Sequence, residues 1–380
     1  MSQLTIGICG GGVGGLAAAI ALRQAGHDVE IFEQASSFKR IGADINLTPN
    51  VVRALKGLGV VPALEETAAR PTHRISRMWD TGAETSRLEM ADTAERQYGA
   101  PQLTIHRADL LNALRGQVPE KIVRLGHRIT TIDGKDGAIT VGFASGGTRT
   151  VEVLIGADGI HSPTRTALFG PEHPQFTGLV SYRSVVDRSL LSVPNLDAFT
   201  KWWGPTPDLQ IVTFPLNRGR ETFVFATTAQ PDWRDESWTM PGDIAELRRA
   251  YAAFHPEARA LLDACTEVMK SALYIREPLP QWSTGTATLL GDACHPMVPF
   301  MAQGAGMAIE DAVVLGRALD GVRSADAAEA LRTYEQTRKD RTARVQIGSR
   351  GNEWLKEGGN ADWVYGYDAW SVPLKVAERI

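Results

Sequence analysis

The sequence predicts an α/β fold: a Rossmann-like nucleotide-binding lobe, an inserted and mainly antiparallel β-sheet lobe, and C-terminal helices. Three observations predict it. An apolar run, a glycine-rich turn, a small-residue helical stretch and a second apolar run follow one another within the first 33 residues, the opening of a parallel sheet. Several β-like runs separated by turns fill residues 176–230. Buried-strand patterns then recur on both sides of that middle, at 153–155 and 287–290.

Residues 4–9 read as a buried strand, 12–24 as a helix and 29–32 as a second strand. A helix is expected at 49–58. Residues 60–100 are polar and look irregular. A short strand is expected at 103–105 and a helix beginning at 109–114. Residues 122–150 alternate between apolar and polar and contain glycine turns, as a β-meander does. Residues 241–264 look helical, as do 306–320 and 327–349. The predicted organisation is a discontinuous nucleotide-binding lobe (1–70, 101–175 and 276–350), an inserted lobe (71–100 and 176–275) and a helical tail (351–380).

The chain has 380 residues, 43% hydrophobic and 22% charged, with a formal net charge of −4. It shows no basic stripe, which argues against a nucleic-acid partner. Cys9, Cys265 and Cys294 are scattered, fitting neither a disulfide framework nor a zinc site. That favours a reducing, cytoplasmic setting. Residues 4–22 are apolar, but no basic segment precedes them and glycines interrupt them. Neither a signal peptide nor a membrane span is expected.

Gly10-Gly11-Gly12-Val13-Gly14-Gly15 fits G-x-G-x-x-G. With 37 glycines in the chain the pattern alone is weak; its place between a strand and a helix, with Glu33 ending the next strand, makes it strong. Gly10 permits the tight turn, Gly12 lets the backbone approach a pyrophosphate, and Gly15 lets the helix pack on the sheet. The helix N-terminus stabilises phosphate charge, and Glu33 is placed to accept hydrogen bonds from a ribose. This motif does not choose between NAD and FAD.

Two distal runs do. Ile155-Gly156-Ala157-Asp158-Gly159-Ile160-His161-Ser162, followed by Arg165, resembles the "DG" motif of the class A FAD-dependent aromatic monooxygenases. Leu290-Gly291-Asp292-Ala293-Cys294-His295-Pro296, continuing through Pro299 to Gln303-Gly304-Ala305-Gly306, resembles their "GD" motif. His106-Arg107-Ala108-Asp109-Leu110 and Arg40-Ile41-Gly42-Ala43 resemble two further elements. The resemblance implies a glutathione-reductase-type, p-hydroxybenzoate-hydroxylase-like fold with FAD as cofactor. It places Asp158, Asp292, Arg40, Arg107, Gly304 and Ala305 at the cofactor, beside Gly10, Gly12, Val13, Gly14, Gly15 and Glu33. It further implies transient reduction by NADH or NADPH, reaction with O2, and hydroxylation of a small electron-rich ring through a flavin C4a-hydroperoxide. No metal is needed, and a monomer or homodimer is expected. By residue chemistry alone, Asp158 and Asp292 also suit helix N-caps, His295 suits a catalytic base, and Cys294 suits a small buried hydrophobe; the resemblance instead implies that His295 belongs to the binding loop and packs beside the dinucleotide.

Lys201-Trp202-Trp203, the His106 region and Trp363-Val364-Tyr365-Gly366-Tyr367-Asp368 resemble the 6-hydroxynicotinate 3-monooxygenase branch of the salicylate-hydroxylase-like group. There, decarboxylative hydroxylation occurs para to a ring hydroxyl. Aligned without gaps from Lys201, two polar pocket residues of that branch fall at Asp208 and Val212. A third, in the loop with Pro299, falls at Phe300. These departures imply a related hydroxypyridine carboxylate, hydroxybenzoate or other phenol. Asp44 is another departure, where the family carries glycine; it suits a solvated acid at a sheet end or a contact with flavin or substrate. Tyr182 and Arg183 are placed at the pocket edge or in a cross-strand pair. The competing readings are a halogenase-like or amine-oxidase-like flavin enzyme and a non-catalytic flavin-binding protein.

Overall fold

The computed structural model describes residues 3–38, 44–135, 137–233, 235, 240–351 and 361–376. Its nucleotide-side sheet has six strands, in the order Ser283–Thr284, Ala287–Leu289, Val153–Gly156, Thr5–Cys9, Asp28–Glu33 and Val123–Leu125. All neighbours but the first pair run parallel. Ile8 lies between Ile31 and Ile155, and all three are fully buried. Such strands are covered on both faces, which is why they read as unbroken apolar runs.

The helix Val13–Gln24 follows the first strand and is buried from Leu16 through Leu22. Its small residues let a second helix, Gly304–Leu319, lie against it. A Cβ at Gly316 would fall 2.8 Å from that of Ala21. Beside this layer, Ile45–Leu47 and Leu103–Ile105 form a two-stranded antiparallel ribbon, and Ile129–Lys135, Ala138–Phe143 and Thr148–Val151 form a small sheet.

The inserted lobe is an eight-stranded sheet, in the order Met240–Pro241, Met269–Ile275, Gln175–Asp187, Glu221–Ala229, Gln210–Leu216, Phe199–Trp203, His73–Met78 and Glu84–Glu89. Only the pairing of Phe199–Trp203 with His73–Met78 is parallel. Alternation along its strands creates two faces. One buries Val180, Tyr182, Trp202, Ile211, Val224 and Ala226 beneath the helices Ile244–Ala250 and Pro256–Asp263. The other carries Phe199, Phe214, Phe223 and Phe225, with Val185, Val212 and Phe300 packed against them. This phenyl face looks toward the nucleotide-binding lobe, where the Thr104 hydroxyl donates to the Pro215 carbonyl at 2.6 Å.

Residues 60–100, read from sequence as irregular, instead hold the helices Val61–Glu65 and Ala91–Tyr98 and the hairpin that extends the large sheet. Its outer strand, Glu84–Glu89, is polar and mostly exposed. Pairing orders it, and no hydrophobic period announces it. The stretch expected to be a meander is divided as well: Val123–Leu125 leaves it to close the edge of the parallel sheet. Of the expected tail, residues 352–360 and 377–380 lie outside the described residues, and Asp362–Tyr365 forms one helical turn.

Candidate functional site

Gly10 has φ of 107°, a conformation that excludes most side chains. A Cβ there would fall 2.4 Å from the Ala157 carbonyl oxygen, and one at Gly15 would fall 2.0 Å from that of Gly10. Gly14 faces Leu290, whose Cδ2 would lie 2.6 Å from a Cβ, and Val13 is buried. Among the described residues, nothing lies within 4 Å of where a Cβ on Gly12 would stand. Among the described residues no side chain caps the helix Val13–Gln24 there, which leaves its first N–H groups suited to an anion. Glu33 accepts from the Gly11 amide at 2.7 Å and from the Ala35 amide at 2.8 Å. It thereby fixes the loop and still offers lone pairs outward.

The two distal motifs are joined. Asp158 accepts from the Thr164 amide at 2.9 Å and the Thr164 hydroxyl at 2.7 Å. It also takes the Ser162 hydroxyl, while Ser162 itself caps the helix Pro163–Phe169. Buried Arg165 then donates to the Cys294 carbonyl at 3.1 Å and the Ala293 carbonyl at 3.3 Å. The DG loop thus braces the GD loop.

Asp292 lies in the turn Gly291–Ala293 and is exposed among the described residues. Shielding from bulk water raises its carboxyl above the ordinary range, against the pull of His295 and Arg107. It caps no helix: Gln303 occupies the N-cap position of Gly304–Leu319 and makes no side-chain cap bond. Half-buried Gly304 and Ala305 therefore present free first-turn amides. Ala302 just before them has φ of 53°, unusual for a residue other than glycine and a mark of a tightly determined turn.

Sequence reading missed what lies beneath this turn. Glu310 and Asp311 are fully buried. Glu310 is held by Arg341 at 2.8 and 2.9 Å, by Arg338 at 2.7 Å and by Asn50 at 2.7 Å. Asp311 is held by Arg338 at 2.7 Å and His295 at 2.6 Å. Despite burial, the facing cations keep both carboxyls below their ordinary range. His295, expected from the resemblance to pack beside the dinucleotide, is buried and held by Asp311 with its ring against Trp282. The buried Cys294 thiol is pushed far up by desolvation, as for a small hydrophobe. Gln303 donates to Thr48 at 2.9 Å and Arg341 to the Trp363 and Val364 carbonyls at 2.9 and 3.1 Å, fastening the C-terminal segment to the same centre. Only the acidic pair's spacing on one helix hinted at this.

The phenyl face is ordered by strand register. Arg183, Phe225, Val212 and Lys201 are successive neighbours across four strands and so share one face. The next row holds Ser181, Thr227, Gln210 and Trp203. Gln210, also missed, is 2% exposed, and neither of its amide atoms is hydrogen-bonded. Arg183 donates to Ser271 at 3.2 Å, and burial lowers its guanidinium's affinity for a proton. Phe300 reaches the face from the turn Pro299–Met301, in which Pro299 is exposed.

Tyr182 must be reassigned. It is one residue out of step with Arg183, so it projects to the helix-covered face, 1% exposed, with its hydroxyl accepting from Gln230 at 2.9 Å. Asp208 sits in the connection between Phe199–Trp203 and Gln210–Leu216, where its carbonyl accepts from Thr227 at 2.7 Å. Arg107 is solvent-facing at the first turn of Arg107–Gly116. Arg40 lies outside the described residues.

A doubly braced nucleotide cradle facing a phenyl-lined sheet defines a flavin-dependent oxidoreductase. The family model described as "FAD binding domain" matches residues 3–348. The chain is 40% identical over 377 residues to "6-hydroxynicotinate 3-monooxygenase" of Bordetella bronchiseptica, covering 98% of each chain. It is 35% identical over 387 residues to "3-amino-4-hydroxybenzoate 2-monooxygenase PtmB3" of Streptomyces platensis, covering 96% of each. Among solved structures, "Salicylate hydroxylase substrate complex" is similar with a TM-score of 0.84 and 26% identity, covering 97% of this chain and 96% of that one. The chain belongs to the FAD-binding-domain family and, within it, to the group A FAD-dependent aromatic monooxygenases.

Proposed function

We propose that this monooxygenase hydroxylates a hydroxylated aromatic or N-heteroaromatic acid, such as a hydroxypyridine carboxylate or hydroxybenzoate, with NADH or NADPH as reductant. The carrying observation is the row Arg183–Phe225–Val212–Lys201 with Phe300 packed against its middle: an apolar strip suited to a flat ring, with a cation at each end. The relatives' printed substrates, 6-hydroxynicotinate and 3-amino-4-hydroxybenzoate, have that form.

When bound, FAD supplies the electron transfer and oxygen activation. The residues present fit it. Free space and unclaimed amides at Gly12 suit a pyrophosphate, with Gly10, Val13, Gly14 and Gly15 shaping the turn. Glu33 suits a ribose. Asp292, whose carboxylate accepts from no described residue, suits a ribityl hydroxyl, and the Gly304 and Ala305 amides suit a ring carbonyl. Asp158 supports these through its loop, and Arg107 borders the ring side; Arg40 is assigned there from sequence alone. Arg183 orients the substrate acid, while Phe225, Val212 and Phe300 keep water from the reacting carbon. Pro299 fixes the turn carrying Phe300, and Asp208 borders the slot's far end. Loss of the ring carboxylate during turnover is part of this reading where the hydroxyl lies para to it. The enzyme is placed in the cytoplasm, as a monomer or homodimer.

The test is oxidation of NADH and NADPH by the FAD-loaded protein with 6-hydroxynicotinate, 3-amino-4-hydroxybenzoate and salicylate, with product analysis. A hydroxylated product from at least one ring is expected. Peroxide release with no hydroxylated product from any of them overturns the substrate reading.

A further inference from the structure

Asp44 lies where the ribbon meets the large sheet. It immediately precedes Ile45, which pairs antiparallel with Ile105, so Asp44 comes abreast of His106. Residues 45–52 are all buried, yet Asp44 is partly open. Three basic groups face it. Arg183 acts on it most strongly, from the row that also holds Phe225 and Val212; Arg107 follows, and then His106. His106 in turn lies 2.7 Å from the Glu221 carboxylate, whose side chain is 32% exposed. By register an acid and a histidine stand side by side, and the histidine pairs with a second, partly exposed acid.

We propose that Asp44 is the base that takes the proton from the ring hydroxyl of the bound substrate, and that His106 and Glu221 pass that proton outward. This rests on the aromatic-hydroxylation reading above. In the step, the ring O–H bond breaks, an Asp44 O–H bond forms, and the electron pair stays on the ring oxygen. The pocket gains no charge, because the negative charge moves from Asp44 to the ring oxygen, still within the field of the Arg183 guanidinium. The ionised ring is the more electron-rich and the better acceptor of an electrophilic oxygen. Burial raises the Asp44 carboxyl to about 7, against the pull of those cations. That brings it nearer to a ring hydroxyl in basicity than an ordinary carboxylate, as a general base at neutral pH requires. Asp44 accepts a proton only when ionised, so turnover rises with pH through that value.

The experiment compares the FAD-loaded wild type with Asp44→Asn and Asp44→Glu. The probes are 6-hydroxynicotinate, 3-amino-4-hydroxybenzoate and salicylate. Bound-ring ionisation is read from ultraviolet difference spectra between pH 5.5 and 9 (a pH range chosen to straddle the expected transition, about 1.5 to 2 units on either side), and turnover is measured beside it. Thermal denaturation and FAD retention report folding. Expected in Asp44→Asn is loss of the ionised-ring spectrum near neutral pH, a fall in kcat of roughly 10²-fold or more, and loss of the rising pH limb. Asp44→Glu restores part of all three. An unchanged ring spectrum and pH profile in a folded, FAD-retaining Asp44→Asn that still hydroxylates overturns this inference alone. Failure of all three rings to bind or react with wild type overturns the substrate reading and this inference with it.

Discussion

Asp44 and Asp292 are both carboxylates raised by shielding from water, yet they differ in what surrounds them. Two guanidinium groups and a histidine face Asp44. Between the ordinary carboxylate value and about 7, the folded protein holds a proton there that the unfolded chain has released. Asp44 therefore lowers stability as pH rises through that window. The FAD-free Asp44→Asn protein is expected to gain more in melting temperature, relative to wild type, at pH 8 than at pH 4; an equal gain at both would contradict the sign. Asp292 makes no bond to a described residue, so its removal leaves the protein's own network intact. Because its carboxyl is held above the ordinary range, Asp292→Ala is expected to keep or raise the melting temperature of the FAD-free protein at neutral pH. It should weaken FAD binding by tenfold or more, the loss of one hydrogen bond to a charged group. A flavin fluorescence titration measures this.

At the scale of elements, the cradle depends on two helices fixed from below. The helix Ala327–Gly351 sends Arg338 into the gap beneath Gly304–Leu319, where it meets both Glu310 and Asp311. Removing the cation leaves two buried carboxylates short of a partner. Arg338→Met is expected to cost about 3–5 kcal/mol, read as a lowered denaturation midpoint in urea. Glu310 and Asp311 are both held below their ordinary range, so their contribution is complete above about pH 5 and fades as pH falls toward the folded values. Wild type should therefore lose more stability than Arg338→Met between pH 5 and pH 3. Mutating both acids to neutral residues with Arg338→Met should recover part of the loss. The small-residue contact of Ala21 with Gly316 belongs to the same scale: it sets how closely the cradle helix approaches the helix that carries Gly304 and Ala305.

At the scale of the molecule, the slot exists only because two lobes meet. The phenyl face comes from the inserted sheet, and Phe300 from a turn of the nucleotide-binding lobe. Substitutions on either side of that seam should change which ring is accepted and leave the distant cradle untouched. Phe300→His and Val212→Tyr each add a polar group to the slot, and a ring that leaves it unpaired is penalised by about 1–3 kcal/mol. The ratio of kcat/KM between 6-hydroxynicotinate and salicylate is expected to shift by about 5- to 150-fold, with FAD affinity unchanged. A shift in FAD affinity with constant selectivity would place these side chains elsewhere.

By itself the sequence determined the parallel-sheet opening, the glycine turn, the two aspartate motifs and the family. Each is local: the backbone conformation of Gly10 and the close approach at Gly15 demand glycine whatever the rest of the chain does. Unbroken apolar runs such as that around Ile8 identify strands covered on both sides. Tertiary structure alone decided the rest. Strand register put Arg183 in the slot and Tyr182 behind it, a difference of one residue that composition does not encode. Pairing made an ordered edge of the polar stretch Glu84–Glu89. Helix packing gathered His295, Glu310, Asp311, Arg338 and Arg341 from distant positions into one buried network. Asp44 stood in the sequence only as an acid in a glycine's place. The arginines that surround it, and the histidine leading away, meet it only when the ribbon closes on the sheet.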